Sequence, residues 1–198
     1  MQEINLALFH FFNNLASMAF FEIMVSIFVD LPIFVLPVFL LGYWIYYTYF
    51  SKDKGNKEAK NNLLLIFYST VLALIISLII QQFVHLDRPE EHIQAGAKLL
   101  LDHLPDASFP SDHATVSIAF LAAIIFAGYK KWGFALMLPF ILMNVSRVIA
   151  GVHWPFDIIA GSLVGIVGAY LVFSHLSQIK FVKTLNLWII NILKHIKL

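Results

Sequence analysis

The sequence predicts an all-α integral membrane protein: a bundle of five or six transmembrane helices with an interfacial N-terminal helix. Three observations carry that prediction. Of 198 residues, 60% are hydrophobic and 13% charged, and the mean hydropathy is +0.82; a soluble domain carries charge on about a quarter of its residues. The apolar residues gather in uncharged runs, and a helix needs about 20 such residues to cross a bilayer. Finally, ten of the thirteen basic residues fall in three short segments beside those runs.

The elements follow in chain order as one membrane-embedded domain over residues 1–198. In residues 1–30, Ile4, Leu8, Phe11, Phe12 and Leu15 recur at helical spacing, the pattern of a helix lying in the membrane interface. The stretch after it, residues 18–29, is short and carries Glu22; it reads either as a second interfacial helix or as a poor sixth span. The bundle occupies residues 31–179. Its uncharged runs are residues 31–50, 61–84, 114–129 (lengthened by the polar residues before it), 132–146 (continuing past Arg147) and 158–179. Pro32, Pro37 and Pro139 read as bends. Gly161, Gly165 and Gly168 sit at the small-residue spacing of a closely packed helix. Residues 180–198 form an amphipathic tail. The N-terminus shows no basic region and no small-residue cleavage site, so no removable signal peptide is expected there.

Charge sets the orientation. Lys52, Lys54, Lys57 and Lys60, then Lys130 and Lys131, then Lys180, Lys183, Lys194 and Lys197 fall on one side when the spans alternate. Basic residues mark the cytoplasmic side of a membrane protein, so the expected location is the cell (inner) membrane, with the tail cytoplasmic. The formal net charge of +1 offers nucleic acid no attraction, and the absence of cysteine excludes disulfides and thiol chemistry.

Polar residues then collect on the external side. Arg88 follows the second run, Ser111 and His113 open the third, Arg147 closes the fourth, and His153 and Asp157 open the fifth. An arginine inside a span is costly, so Arg147 alone reads as snorkelling to the interface; three clusters at one face read as a site. Arginine forks match phosphate oxygens. The PSDH segment at residues 110–113 puts a proline and a serine at a helix start, where free backbone N–H groups attract anions. His153 and Asp157, four apart, face each other, so the carboxylate can orient one imidazole nitrogen and leave the other as a nucleophile. His113 is placed to act as a general acid. Two histidines and a carboxylate also suit a metal, but two arginines beside them would repel a divalent cation. No metal and no cofactor is expected.

Arg88-Pro89, residues 110–113, and Ser146-Arg147 with His153 and Asp157 resemble the three signature motifs of the type-2 phosphatidic acid phosphatase superfamily, which includes membrane lipid phosphatases and soluble haloperoxidases. The resemblance implies that His153 is the nucleophile and forms a phosphohistidine, that Asp157 supports it, and that His113 protonates the leaving group. Arg88, Ser111 and Arg147 would hold the phosphoryl oxygens without a metal. One position departs: the family's first motif opens with a lysine seven residues before its arginine, and here that residue is Gln81, a phosphate ligand without charge, with Lys98 as a possible substitute.

The form PSDHAT resembles the bacitracin-resistance type of undecaprenyl pyrophosphate phosphatase. The implied substrate is a polyprenyl pyrophosphate met at the external or periplasmic face, with membrane lipid as the surrounding partner. Phosphatidylglycerophosphate, phosphatidate and lipid A phosphatases would use the same residues. A multi-pass transporter or resistance component is the reading from another class; it predicts midspan charges and paired repeats, which the sequence lacks. Glu90, Glu91 and His92 read as a solvated loop cluster, Asp106 as a turn or cap, and His85 and His103 carry no motif.

Overall fold

The computed structural model describes residues 2–52, 56–89, 98–101 and 107–195. Glu90, Glu91, His92, His103 and Asp106 lie outside them. Among the described residues the chain is helical and contains no strand. Helix α1 (Gln2–Asn13) turns through a 3₁₀ segment into α2 (Ala19–Phe28) at an angle of 105°. In α1 the inward face is Phe9 and Asn13, while Ile4, Leu8 and Phe11 point outward, as an interfacial helix requires. In α2 the inward residue is Val25, packed with Ile149 and Val152 at the end of the bundle. Neither helix is long enough to cross a bilayer by itself; only the bent pair together is.

The bundle proper begins with α3 (Val35–Ile45), which ends in a π turn at Tyr46–Phe50. The Asn56 side chain accepts hydrogen bonds from the N–H groups of Glu58 and Ala59 and so starts α4 (Lys57–Phe83). Then come α5 (Asp112–Phe126), α6 (Lys130–Ile149) and α7 (Pro155–Ser174), and the tail forms α8 (Lys180–His195). By length and composition, three of these helices can cross a membrane: α4, α6 and α7 with the turn that follows it. The other two expected spans, α3 with its turn and α5, are apolar but shorter. At 1.5 Å per residue, α5 reaches only about 22 Å, against a hydrocarbon core of about 30 Å.

Helix α5 lies at the centre, against α4, α6 and α7. Ile66, Phe120, Ile124, Phe140 and Met143 fill the core with no exposed surface. The small-residue series on α7 permits the closest approach. A Cβ at Gly161 would lie 2.4 Å from the Ser111 carbonyl, one at Gly165 2.5 Å from that of Thr115, and one at Gly168 2.7 Å from the Ala73 methyl. The outward faces carry Phe67, Ile75, Phe134, Leu138, Ile159 and Leu163, all more than two-fifths exposed, large apolar side chains suited to lipid and not to water. The amphipathic tail is tied down by Asn186, which donates to Asn61 at 2.7 Å and accepts from Tyr68 at 2.8 Å.

This antiparallel order brings the ends of α4 and α6 and the starts of α5 and α7 to the same end of the bundle. There the Ser111 N–H donates to the Asp157 carbonyl at 3.1 Å, joining the first turn of α5 to that of α7.

Candidate active site

Each site residue owes its place to a helix terminus. Arg147 sits in the last turn of α6, three-hundredths exposed. The chain then reverses at Gly151, whose φ of +84° is a conformation open to glycine at little cost, and where a Cβ would meet the Lys98 carbonyl at 2.5 Å. That reversal delivers His153, buried, to the mouth of α7. Pro155 occupies the first turn of α7, where its missing N–H costs nothing.

Asp157 is the hub of this corner. Its Oδ2 accepts a hydrogen bond from the Trp154 N–H at 2.9 Å and another from the Ser108 hydroxyl, and it lies 3.5 Å from Nδ1 of His153. The last distance is long for a hydrogen bond, as unliganded catalytic pairs often are. Arg88 enters from the segment after α4 and donates through Nη1 to the Val152 carbonyl at 2.7 Å, next to His153. Ser111 stands at the N-cap of α5, yet its hydroxyl is fully buried and makes no hydrogen bond to the described residues. A buried hydroxyl without a partner is costly.

One contact joins the remaining pair. Asp30, in the turn after α2, presents a single carboxylate oxygen, Oδ1, 2.9 Å from Nη1 of Arg147 and 3.0 Å from Nε2 of His113. An anionic oxygen therefore already sits between the two groups expected at the phosphate. Arg88, Ser111, His113, Arg147, His153 and Asp157 all lie in this corner. Gln81 also comes close, but its amide nitrogen donates to the Pro110 carbonyl at 3.1 Å and to Asp112 Oδ1 at 3.0 Å. Both of its amide hydrogens are directed there, onto the PSDH segment. Lys98 uses its backbone: its N–H and its carbonyl both pair with the Asn13 side chain, each at 2.7 Å.

Residues 62–180 match the family model of the PAP2 superfamily, well over half of the 198 residues. The chain belongs to that superfamily. Among curated proteins it is 27% identical over 184 residues to the "Bacitracin transport permease protein BcrC" of Bacillus licheniformis, covering 91% of this chain and 84% of that protein. It is 29% identical over 134 residues to the "Undecaprenyl-diphosphatase BcrC" of Bacillus subtilis, covering 68% of this chain and 64% of that one. Among solved structures, Aquifex aeolicus LpxE superposes with a TM-score of 0.71 at 23% identity, over 87% of this chain and 96% of that one; at that identity the likeness is one of fold.

In this PAP2 protein the sequence reading overlooked three contributors. Asp30 is a lone acid ending an apolar stretch, Ser108 lies three residues before Ser111, and Trp154 adjoins His153. Only Asp30 left a signal, an acidic residue on the side where the arginines collect. Asp112, between Ser111 and His113, accepts from both Ser77 at 2.7 Å and Gln81, so the residue that follows Ser111 anchors its segment to α4.

Proposed function

We propose that the protein removes the terminal phosphate of undecaprenyl pyrophosphate at the external face of the cell membrane, yielding undecaprenyl phosphate and orthophosphate. The observation that carries this reading is the Asp30 oxygen held between Arg147 and His113: a phosphoryl oxygen has the same charge and the same hydrogen-bonding needs as the carboxylate oxygen that stands in for it. The names of the curated relatives support the polyprenyl substrate. A cluster of polar side chains at one end of an apolar bundle suits a lipid whose phosphate is at the water boundary.

Two steps complete the chemistry. With Nδ1 facing Asp157, Nε2 of His153 attacks the terminal phosphorus, the bond to the bridging oxygen breaks, and His113 gives that oxygen its proton. Water then attacks the phosphohistidine, His113 takes a proton from it, the N–P bond breaks, and orthophosphate leaves. Arg88, Ser111 and Arg147 hold the equatorial oxygens and stabilise the charge that develops on them. The reading takes α3 to α7 as five crossings, the two short helices being completed by their flanking turns, with α1 and α2 in the external interface. Domain bounds follow as residues 1–30, 31–179 and 180–198.

Phosphate release by detergent-purified protein should be fastest from undecaprenyl pyrophosphate in a panel that includes phosphatidate and phosphatidylglycerophosphate. A preference for either phospholipid would reassign the substrate, and no release from any would remove the enzyme reading. Sidedness has its own arm: a cysteine replacing Leu86 should react with an impermeant maleimide in intact cells and one replacing Lys131 should not. The opposite pattern would invert the topology.

A further inference from the structure

We propose that Asp30 is an internal anion that competes with phosphate for Arg147 and His113, weakening the site's hold on substrate and on released orthophosphate alike. The inference deepens the phosphatase reading and rests on it.

Geometry makes the competition unavoidable. Asp30 Oδ1 lies 2.9 Å from Nη1 of Arg147 and 3.0 Å from Nε2 of His113, which is where an oxygen of a phosphate held by both groups would lie. A phosphoryl oxygen cannot enter that place beside a carboxylate, because two anions in contact in a partly buried site repel strongly. One of them must leave. The exposure gradient says which can: the Asp30 side chain is 55% exposed and that of Arg147 4%, with Ser111 and His153 buried behind it. Asp30 also stands in the turn between α2 and the 3₁₀ segment Leu31–Phe34, outside any helix, so it can move aside without unwinding one.

The arrangement has a use between turnovers. A guanidinium as buried as that of Arg147 is costly without a counter-charge, and Asp30 supplies one when no phosphate is bound. The same contact lowers the apparent affinity for phosphate by the fraction of time that the pair is open. A bridge formed roughly nine-tenths of the time would weaken phosphate binding about tenfold. Orthophosphate, which gains nothing from a lipid tail, would then leave readily, and the carboxylate closing behind it would oppose its return.

The test measures orthophosphate binding to the detergent-purified protein by calorimetry, which needs no turnover, together with phosphate release from undecaprenyl pyrophosphate. Asp30→Asn keeps the shape and removes the charge; it should bind orthophosphate roughly two- to tenfold more tightly than wild type, the low end set by the loss of one half-exposed charge pair and the high end by a bridge formed nine-tenths of the time. Asp30→Ser should repeat the gain, Asp30→Glu should not show it, and Glu22→Gln, an exposed carboxylate on α2, should match wild type. In an Arg147→Gln background the gain from Asp30→Asn should shrink, since the two residues act on one contact. Unchanged or weaker orthophosphate binding in both Asp30→Asn and Asp30→Ser, in protein whose wild type is active, would overturn the inference and leave the phosphatase reading standing. A wild type that neither binds orthophosphate nor releases it from any lipid would take both down.

Discussion

His153 and His113 face different carboxylates, and the difference supports the separate roles proposed for them. His153 is buried and sits against Asp157, whose position is held by Ser108 and the Trp154 N–H. His113 is partly exposed and meets Asp30 at 3.0 Å. A nucleophile has to be positioned whatever departs, whereas a general acid matters only when the leaving oxygen needs a proton. His153→Ala should therefore abolish turnover of every substrate. His113→Ala should slow the lipid pyrophosphate by a factor of about 10² to 10⁴, the usual worth of a general acid, while nearly sparing nitrophenyl phosphate, whose leaving group departs as an anion. Steady-state rates on the two substrates decide it, and equal losses on both would reverse the assignment. Gln81 carries a narrower lesson. Counting from Arg88 put it at a phosphate ligand's position, but counting along one chain cannot see that Pro110 and Asp112 lie within reach of its amide.

Among the elements, the pairing of α5 with α7 sets the distance between Ser111 and Asp157, and Gly161 is its closest point. Gly161→Ala would drive a methyl against the Ser111 carbonyl, the Thr115 hydroxyl and the Ala114 methyl, so the helices must part at the end where Ser111 and Asp157 meet. Overpacking of this kind typically costs about 1–3 kcal/mol, and activity should fall further than stability because the proposed phosphate site opens. Gly42, with nothing within 4 Å of its Cβ position, provides the control: Gly42→Ala should leave both thermal unfolding and turnover close to wild type. Similar behaviour of the two variants would show that the α5–α7 approach does not set the site. Helical elements were legible because an uncharged apolar run admits little else in a bilayer. Their lengths were not, because hydropathy does not mark where α5 gives way to the PSDH segment or where α3 widens into its π turn. The bent α1–α2 pair was legible only as one amphipathic stretch and a short one that read either as a second interfacial helix or as a poor sixth span, because the packing of both against α6 leaves no local pattern.

Taken whole, the protein is an apolar bundle with its polar motif residues at one end, and the antiparallel order of α4 to α7 suffices to bring every motif there. That convergence was readable from the sequence because each motif borders an uncharged run, so alternating the runs across a membrane gathers them on one side. Asp30 was not readable, since its contact with Arg147 spans 117 positions and no local pattern announces it. The most direct measurement is to mix purified protein rapidly with undecaprenyl pyrophosphate carrying a labelled terminal phosphate, quench in base, and map the label. An acid-labile phosphohistidine at His153 is expected, absent in His153→Ala and retained in Glu22→Gln. Label persisting in His153→Ala, or rapid turnover by wild type with no trapped phosphohistidine and direct transfer of phosphate to water, would contradict it.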